Sequence, residues 1–311
     1  TRLDQITRAA PPRTIGPYRL LRELGAGGMG TVFLAERDVA GTAQQVALKL
    51  LHGVPTEAGR RRMARERALL AGLNHPHIAG HIDGGESADG QPYLVMDYVE
   101  SETLPEYLAR AQPSVPTRLR LFLSLCEAVQ HAHQRLILHR DIKPSNVIVR
   151  TDGSPVLLDF GVGTLLEAGA NPDHTATRAY TPGYGAPEQR RGLTATTATD
   201  VFGLGALLFD LLSDRRLSEL CTGDAPVPLP SDVVQDATRR RLLRGDLDRI
   251  VRKATASDPE QRYDTAAALA DDVQRYLRGL PIAAAPDRIG YRLRKFVRRH
   301  RVGVAATVAI V

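Results

Sequence analysis

His139-Arg140-Asp141-Ile142-Lys143-Pro144-Ser145-Asn146 is followed, after a short Gly/Pro turn, by Asp159-Phe160-Gly161. Asp141 suits acceptance of a hydroxyl proton, and Lys143 suits neutralisation of an anion in transfer. Asn146 and Asp159 offer oxygen ligands of the kind a hard divalent cation takes. Phosphoryl transfer through a loose transition state needs positioning and charge neutralisation more than covalent chemistry. Few other reactions call for this set of groups in this order.

Working outward, Gly25-Ala26-Gly27-Gly28-Met29-Gly30 fits G-x-G-x-x-G. Glycines let a backbone approach phosphates closely. Dinucleotide-binding folds use the same spacing before a helix. Here strand-like Thr31-Val32-Phe33-Leu34 follows instead, which favours a hairpin. Val46-Ala47-Leu48-Lys49 places a lysine inside an apolar strand, where it needs an anionic partner. Glu66, on the next helix-patterned stretch, is the candidate.

The periodicity predicts strands over Tyr18–Leu24, Thr31–Glu36, Gln45–Leu50 and Tyr93–Val99, with a helix over Glu57–Gly72. From Thr117 the period changes. Leu119, Leu121, Phe122, Leu125, Val129 and Ala132 outline a long buried helix, and further helices are expected at Thr199–Ser213, Asp246–Ala256 and Thr265–Leu277. The expected fold class is therefore α+β, a small β-rich lobe followed by a larger helical one.

Taken together, these motifs resemble the eukaryotic-like Ser/Thr protein kinase superfamily, over roughly Tyr18 to Leu277. Tyr180-Thr181-Pro182-Gly183-Tyr184-Gly185-Ala186-Pro187-Glu188, Asp200-Val201-Phe202-Gly203-Leu204-Gly205 and Asp258-Pro259-Glu260-Gln261-Arg262-Tyr263 extend the resemblance. The chain looks most like the bacterial membrane-anchored members. The resemblance implies ATP and Mg²⁺ as cofactors, with Mn²⁺ an alternative ion. It makes Asp141, Lys143, Lys49 and Glu66 catalytic, and Asn146 and Asp159 the metal ligands. ATP would be held by Leu24, Gly25, Gly27, Gly30, Val32, Ala47, Lys49, Met96, Asp97, Val99, Glu102 and Ile148. Met96 falls at the gatekeeper, the backbone of Asp97 and Val99 should bond the adenine edge, and Glu102 should reach the ribose. Thr181 matches the substrate-loop residue that bridges Asp141 and Lys143. Glu188 and Arg262 should form a buried ion pair.

Lys143, two residues after Asp141, is the Ser/Thr form of the motif. Arg140 beside Asp141 marks kinases switched by loop phosphorylation, for which Thr164, Thr175 and Thr177 are the candidate hydroxyls. Three positions depart from the family pattern. Tyr180 replaces the usual Gly before Thr181, His81 takes a normally aliphatic spine position, and Ser145 stands where basophilic members have Glu. His131 and His133 lie two apart on a helix and do not share a face, so they do not read as metal ligands. Arg60 to Arg62 and Arg239 to Arg241 read as solvated helix faces.

The 311 residues suffice for a well-buried two-lobed domain, and 43% hydrophobic with 24% charged residues is ordinary globular composition. Formal net charge is +6, but Arg288, Arg292, Arg294, Lys295, Arg298, Arg299 and Arg301 supply it. Removing those seven from the 41 basic residues leaves 34 against 35 acidic ones. A nearly neutral body argues against nucleic acid as a partner and for a local anionic partner of the tail. Cys126 and Cys221 fit no metal spacing and read as reduced, cytosolic thiols.

After the basic run, residues 302–311 carry no charge. This reads as the start of a membrane-spanning helix, which needs about 20 apolar residues. The preceding cations satisfy the positive-inside rule. The expected organisation is a flexible segment 1–17, an N-lobe 18–97, a C-lobe 98–280, a basic juxtamembrane linker 281–301 and the start of a transmembrane helix at 302–311. That makes a single-pass protein of the bacterial inner membrane with a cytoplasmic kinase domain. Its partners would be protein substrates, the membrane and a second copy for trans-autophosphorylation. A pseudokinase scaffold is the rival of a different class, and intact Lys49, Asp141, Asn146 and Asp159 argue against it. A small-molecule kinase of similar fold is a third reading, disfavoured by Ala186-Pro187-Glu188.

Overall fold

The computed structural model describes residues 14–27, 30–52, 57–160, 183–220, 225–286, 289–291 and 295. The described chain forms two compact units. One comprises residues up to Asn74 together with Ala79–Val99. The other comprises His75–Ile78, Glu100 to Phe160 and the described residues from Gly183 onward.

The first unit is a six-stranded antiparallel sheet in the order β1-β2-β3-β4-β6-β5. Its strands are β1 (Thr14–Ile15), β2 (Tyr18–Gly27), β3 (Gly30–Val39), β4 (Thr42–Leu51), β5 (His81–Glu86) and β6 (Pro92–Asp97). Helix α1 (Glu57–Ala71) joins β4 to β5. Side chains alternate across a strand, so Val46 and Leu48 share one face of β4 while Ala47 and Lys49 share the other. The first pair packs with Ile15, Tyr18, Ala35, Tyr93 and Val95 into the core of this unit. Tyr18 meets Tyr93 edge to face at 6.1 Å, and its hydroxyl donates to Asp83 at 2.7 Å. Strand β5 was not expected from the sequence. His-Ile-Asp-Gly-Gly-Glu lacks an alternating apolar pattern, and its pairing with β6 supplies what local propensity does not.

The second unit is mostly helical. A short sheet of β7 (Glu102–Thr103), β8 (Val147–Val149) and β9 (Pro155–Leu157) accompanies helices α2 (Leu104–Ala111), α3 (Val115–His133), α4 (Pro187–Arg190) and α5 (Thr197–Ser213). Then come α6 (Leu217–Leu220), α7 (Pro230–Val233), α8 (Ala237–Leu243), α9 (Asp246–Ala254) and α10 (Ala266–Leu277). Helix α3 starts two residues earlier than its apolar period predicts. Ser114 caps it, and Pro116 is tolerated in a first turn where its missing N–H has no partner to lose. Helix α10 opens on Thr265, whose hydroxyl accepts from the Ala268 amide at 3.0 Å.

Helix α5 is buried at every position from Thr199 to Ser213 and forms the axis of this unit. Buried polar groups tie it to its surroundings. Arg118 of α3 donates to the Leu211 carbonyl at 2.8 Å and pairs with Asp214, which Arg239 of α8 also contacts. Arg240 donates to the Val234 carbonyl. Arg239 is thus half-buried and structural, while Arg240 and Arg241 are exposed as their run of like charges led us to expect. Among the described residues no helix is long and apolar enough to cross a membrane. Residues 302–311 lie outside them.

Gly205 lets α5 and the end of α9 approach closely. A Cβ there would lie 2.7 Å from Ala254 Cβ and 2.8 Å from Thr255 Cγ2. Overpacking of this kind costs about 1–3 kcal/mol. Gly205→Val is expected to lower the urea midpoint correspondingly with the m-value unchanged. A stability within about 0.5 kcal/mol of wild type would mean the contact is not tight.

Candidate active site

In the first unit, strand register gathers the residues assigned to ATP. Directly paired residues of antiparallel strands share a face. Val32 pairs with Lys49 and Lys49 with Leu94, while Ala47 pairs with Leu34 and with Met96. Val32, Ala47, Lys49 and Met96 therefore line one face of the sheet, opposite the Val46/Leu48 core. Lys49 is only 5% exposed. Gly25 pairs with Val32 and Gly27 with Gly30, so the glycine-rich stretch is the end of the β2–β3 hairpin. At Gly30 a Cβ would sit 2.2 Å from the Leu50 carbonyl oxygen, which no side chain tolerates. Leu24 is 38% exposed on β2, and Asp97 closes β6 with its amide on the Gly80 carbonyl at 2.9 Å. Val99 follows as half-buried, non-strand chain. Glu66 lies on α1, but its side chain is outside the described residues. His81 pairs with Met96 on the same face. Burial holds its ring below the usual histidine range, with Arg67 adding to the effect against Asp83. The residue is half-buried, and both ring nitrogens are without a hydrogen-bond partner among the described residues.

In the second unit, the catalytic loop brings together Asp141, Lys143 and Asn146. Lys143 Nζ donates to Asp141 Oδ2 at 2.6 Å. Asn146 Nδ2 donates to the Asp141 carbonyl at 2.8 Å and reaches Oδ2 at 3.3 Å. That orientation turns the Asn146 amide oxygen away from Asp141 as an acceptor. The Asn146 carbonyl in turn accepts from the Leu158 amide at 2.8 Å, next to Asp159. The donor set of amide oxygen and carboxylate fits a hard divalent ion. Ile148 pairs with Thr103 and Val156 in the small sheet. Glu102 is engaged by Arg110 in an ion pair on α2. Thr164, Thr175, Thr177, Tyr180 and Thr181 lie outside the described residues.

Four residues that the motif reading gave no role, Asp200, His133, His139 and Gln189, hold this loop. Asp200, 1% exposed at the start of α5, accepts from the His139 amide at 2.8 Å and the Arg140 amide at 2.7 Å. It also accepts from His133 Nε2 at 2.8 Å. Burial alone would raise the Asp200 pKa, but the His133 hydrogen bond, the two histidines and the His139 amide outweigh it and hold it below the usual aspartate range. His139 Nδ1 accepts from the Asp141 amide at 3.3 Å, so Nε2 carries the proton and donates to the Leu158 carbonyl at 2.8 Å. Its ring meets Phe160 edge on at 4.7 Å. Gln189 of α4 donates to the Arg140 carbonyl at 2.8 Å. The sequence signal for Asp200 was an acid opening an otherwise apolar helix, where burial demands partners.

Arg140 and Asp159 have φ of 70° and 62°, in the left-handed region. Such strain is held only where surrounding bonds over-determine it. The Glu188–Arg262 pair forms as a fork. Nη1 lies 2.7 Å from Oε1 and Nη2 2.8 Å from Oε2, with Thr199 donating to Oε1. Burial raises the Glu188 pKa, but Arg262 and Thr199 outweigh it and hold the carboxyl below its usual range.

The model of the protein kinase domain matches residues 18–273. The chain is 35% identical over 276 residues to the serine/threonine-protein kinase PknB of Mycobacterium tuberculosis, covering 85% of this chain and 43% of PknB. It is 35% identical over 270 residues to PrkC of Bacillus subtilis, covering 84% of this chain and 41% of PrkC. The chain thus spans less than half the length of these curated relatives. Its fold is similar to the crystal structure of the M. tuberculosis PknI kinase domain. The TM-score is 0.65 at 30% identity, over 85% of this chain and 97% of that one.

Asp200→Asn leaves a buried amide where a carboxylate accepted from backbone N–H groups. It is expected to lower stability by about 1–3 kcal/mol and to slow phosphoryl transfer by displacing Arg140 and Asp141. Because the folded pKa of Asp200 is depressed, its stabilisation is present above the ordinary aspartate range and lost as pH falls through the folded value. Acid titrations of unfolding should therefore lose that limb in the variant. An unchanged acid limb would remove Asp200 from this role.

Proposed function

The chain belongs to the protein kinase domain family, and we propose that it is an ATP-dependent serine/threonine protein kinase of bacterial transmembrane signalling. The observation that carries this reading is the Asp141 carboxylate. It is fixed between Lys143 Nζ and Asn146 Nδ2 on a loop hung from buried Asp200. A pseudokinase would have no need to keep such an acceptor aligned.

The chemistry follows from the groups. A substrate hydroxyl oxygen forms a bond to the γ-phosphorus of ATP as the β–γ bridging bond breaks, ADP leaves, and the hydroxyl proton passes to Asp141. Lys143 neutralises the transferring phosphoryl from beside Asp141. In the first unit, Lys49 and the Gly25–Gly30 hairpin take the nucleotide phosphates, and Ala47, Met96 and the Asp97 and Val99 backbone take the adenine. Asn146 and Asp159 would hold Mg²⁺, which would supply charge neutralisation during the transfer. Lys143 follows Asp141 as in kinases that act on Ser and Thr, and the named activities of PknB and PrkC support the same acceptor class. Autophosphorylation at Thr164, Thr175 or Thr177 would place a doubly charged group opposite Arg140. The basic run 288–301 followed by the uncharged 302–311 supports a single-pass membrane anchor with the kinase on the cytoplasmic side.

Asp141→Asn and Asp159→Ala are each expected to slow ATP-dependent autophosphorylation by on the order of 100-fold or more, with the melting transition retained. Near wild-type turnover of either purified variant with Mg²⁺ would refute the site. On the active enzyme, phosphopeptide mapping should place phosphate between residues 161 and 188. Fractionation of the full-length protein should recover it with membranes. Recovery in the soluble fraction without detergent would remove the anchor.

A further inference from the structure

The segment after α10 is fastened to the second unit by two carboxylates. Asp272, 1% exposed, accepts from the Ala283 amide at 2.6 Å and the Ala284 amide at 2.8 Å, and from the Tyr263 hydroxyl at 2.9 Å. Further on, Tyr291 donates to Asp246 Oδ1 at 3.2 Å while accepting from the Ile282 amide at 3.1 Å. Lys295, within the basic run, pairs with Asp246 Oδ2 and lies 5.9 Å from the ring centres of both Tyr276 and Tyr291. Tyr291 and Lys295 therefore hold a fixed place beside α9.

That place adjoins a second group of cations. Arg249, Arg252 and Lys253 lie at helical spacing on α9 and line a depression of about 650 Å³. Its other walls include Pro226, Val227, Ala284 and Pro286, the last two belonging to the fastened segment. Arg252 is exposed and has no side-chain partner among the described residues. Lys253 covers the Tyr263 ring at 4.6 Å, and Arg249 faces Asp246 at 3.5 Å and the Tyr291 ring at 6.0 Å. The one acid lining the depression, Asp258, accepts from the Glu260 amide at 3.0 Å and Gln261 Nε2 at 3.4 Å. Asp246 is occupied by Lys295, Tyr291 and Arg249. Asp246 is thus engaged internally, while Arg252 presents its head to solvent. Three residues beyond Pro286, Ile289 is 86% exposed.

We propose that the α9 face formed by Arg249, Arg252 and Lys253 is a docking surface for anionic lipid headgroups. The contacts of Ala283, Ala284, Tyr291 and Lys295 set this face against the leaflet. The proposal rests on the membrane-anchored reading above and adds which face of the kinase the lipid meets. Cations near an anionic surface and an exposed isoleucine at the boundary are the composition such a surface recognises. The nearly neutral body of the chain offers no reason for a general anion affinity, so the attraction is local.

Binding of the 311-residue chain to vesicles of phosphatidylglycerol with phosphatidylcholine, and of phosphatidylcholine alone, tests the assignment. With the tail intact, Arg252→Glu/Lys253→Gln is expected to weaken binding to the anionic vesicles by on the order of tenfold or more. Binding to neutral vesicles and autophosphorylation in solution should not change. Arg252→Glu alone changes only an exposed side chain and should show an intermediate loss, which keeps the test valid if Lys253→Gln loosens the Tyr263 contact. Equal binding of wild type and Arg252→Glu to anionic vesicles would overturn the proposal. A full-length protein found soluble in cells, with the vesicle difference retained, would remove the anchor and leave the face. A protein found in membranes with no vesicle difference would do the reverse.

Discussion

The Asp200 carboxylate is the constraint on which the catalytic loop depends. It sits in the interior at the start of α5, and burying a charge is expensive unless it is hydrogen-bonded and paired. Its oxygens take the His139 and Arg140 amides and His133 Nε2. Those bonds hold Arg140 at a φ of 70°, a conformation that costs about 1–2 kcal/mol outside glycine. Asp141 is the next residue, so the direction of its side chain is set by a bond to a helix some 60 residues away in sequence.

His139 extends that order to the segment Leu158–Phe160. One ring nitrogen accepts from the Asp141 amide, which obliges the other to donate to Leu158, and the ring face packs against Phe160. Asn146 makes a second tie through its carbonyl to the Leu158 amide. Asp159 is thus placed by bonds on the residue before it and packing on the residue after it. The backbone strain at a φ of 62° is carried by neighbours.

The sheet of the first unit solves a different problem with a simpler rule. Alternation along β4 puts Val46 and Leu48 into the core and Ala47 and Lys49 on the other face, and register aligns Val32 and Met96 with them. A one-residue slip would send all of them to the wrong side. The packing of Tyr18, Tyr93 and Val95 under the sheet therefore specifies the nucleotide face as firmly as any residue on it.

The sequence by itself determined the fold class and the order of the main elements, and its motifs singled out Asp141, Lys143, Asn146, Asp159 and Lys49 as the candidate site. These were legible because motif spacing and hydrophobic period are local properties of the chain. The long helices fell within a few residues of their observed bounds, the differences coming from caps such as Ser114 and Thr265. Tertiary structure alone decided the rest. Strand β5 exists because β6 offers it an edge, not because His81–Glu86 favours extension. Arg239 looks like solvent-facing charge, yet it is half-buried and pairs with Asp214. Asp200, His133 and Gln189 acquire their roles only when distant segments meet. A hydrogen bond between residues far apart in sequence leaves no periodic trace, and its partners are chosen by burial, which the chain reveals only once folded.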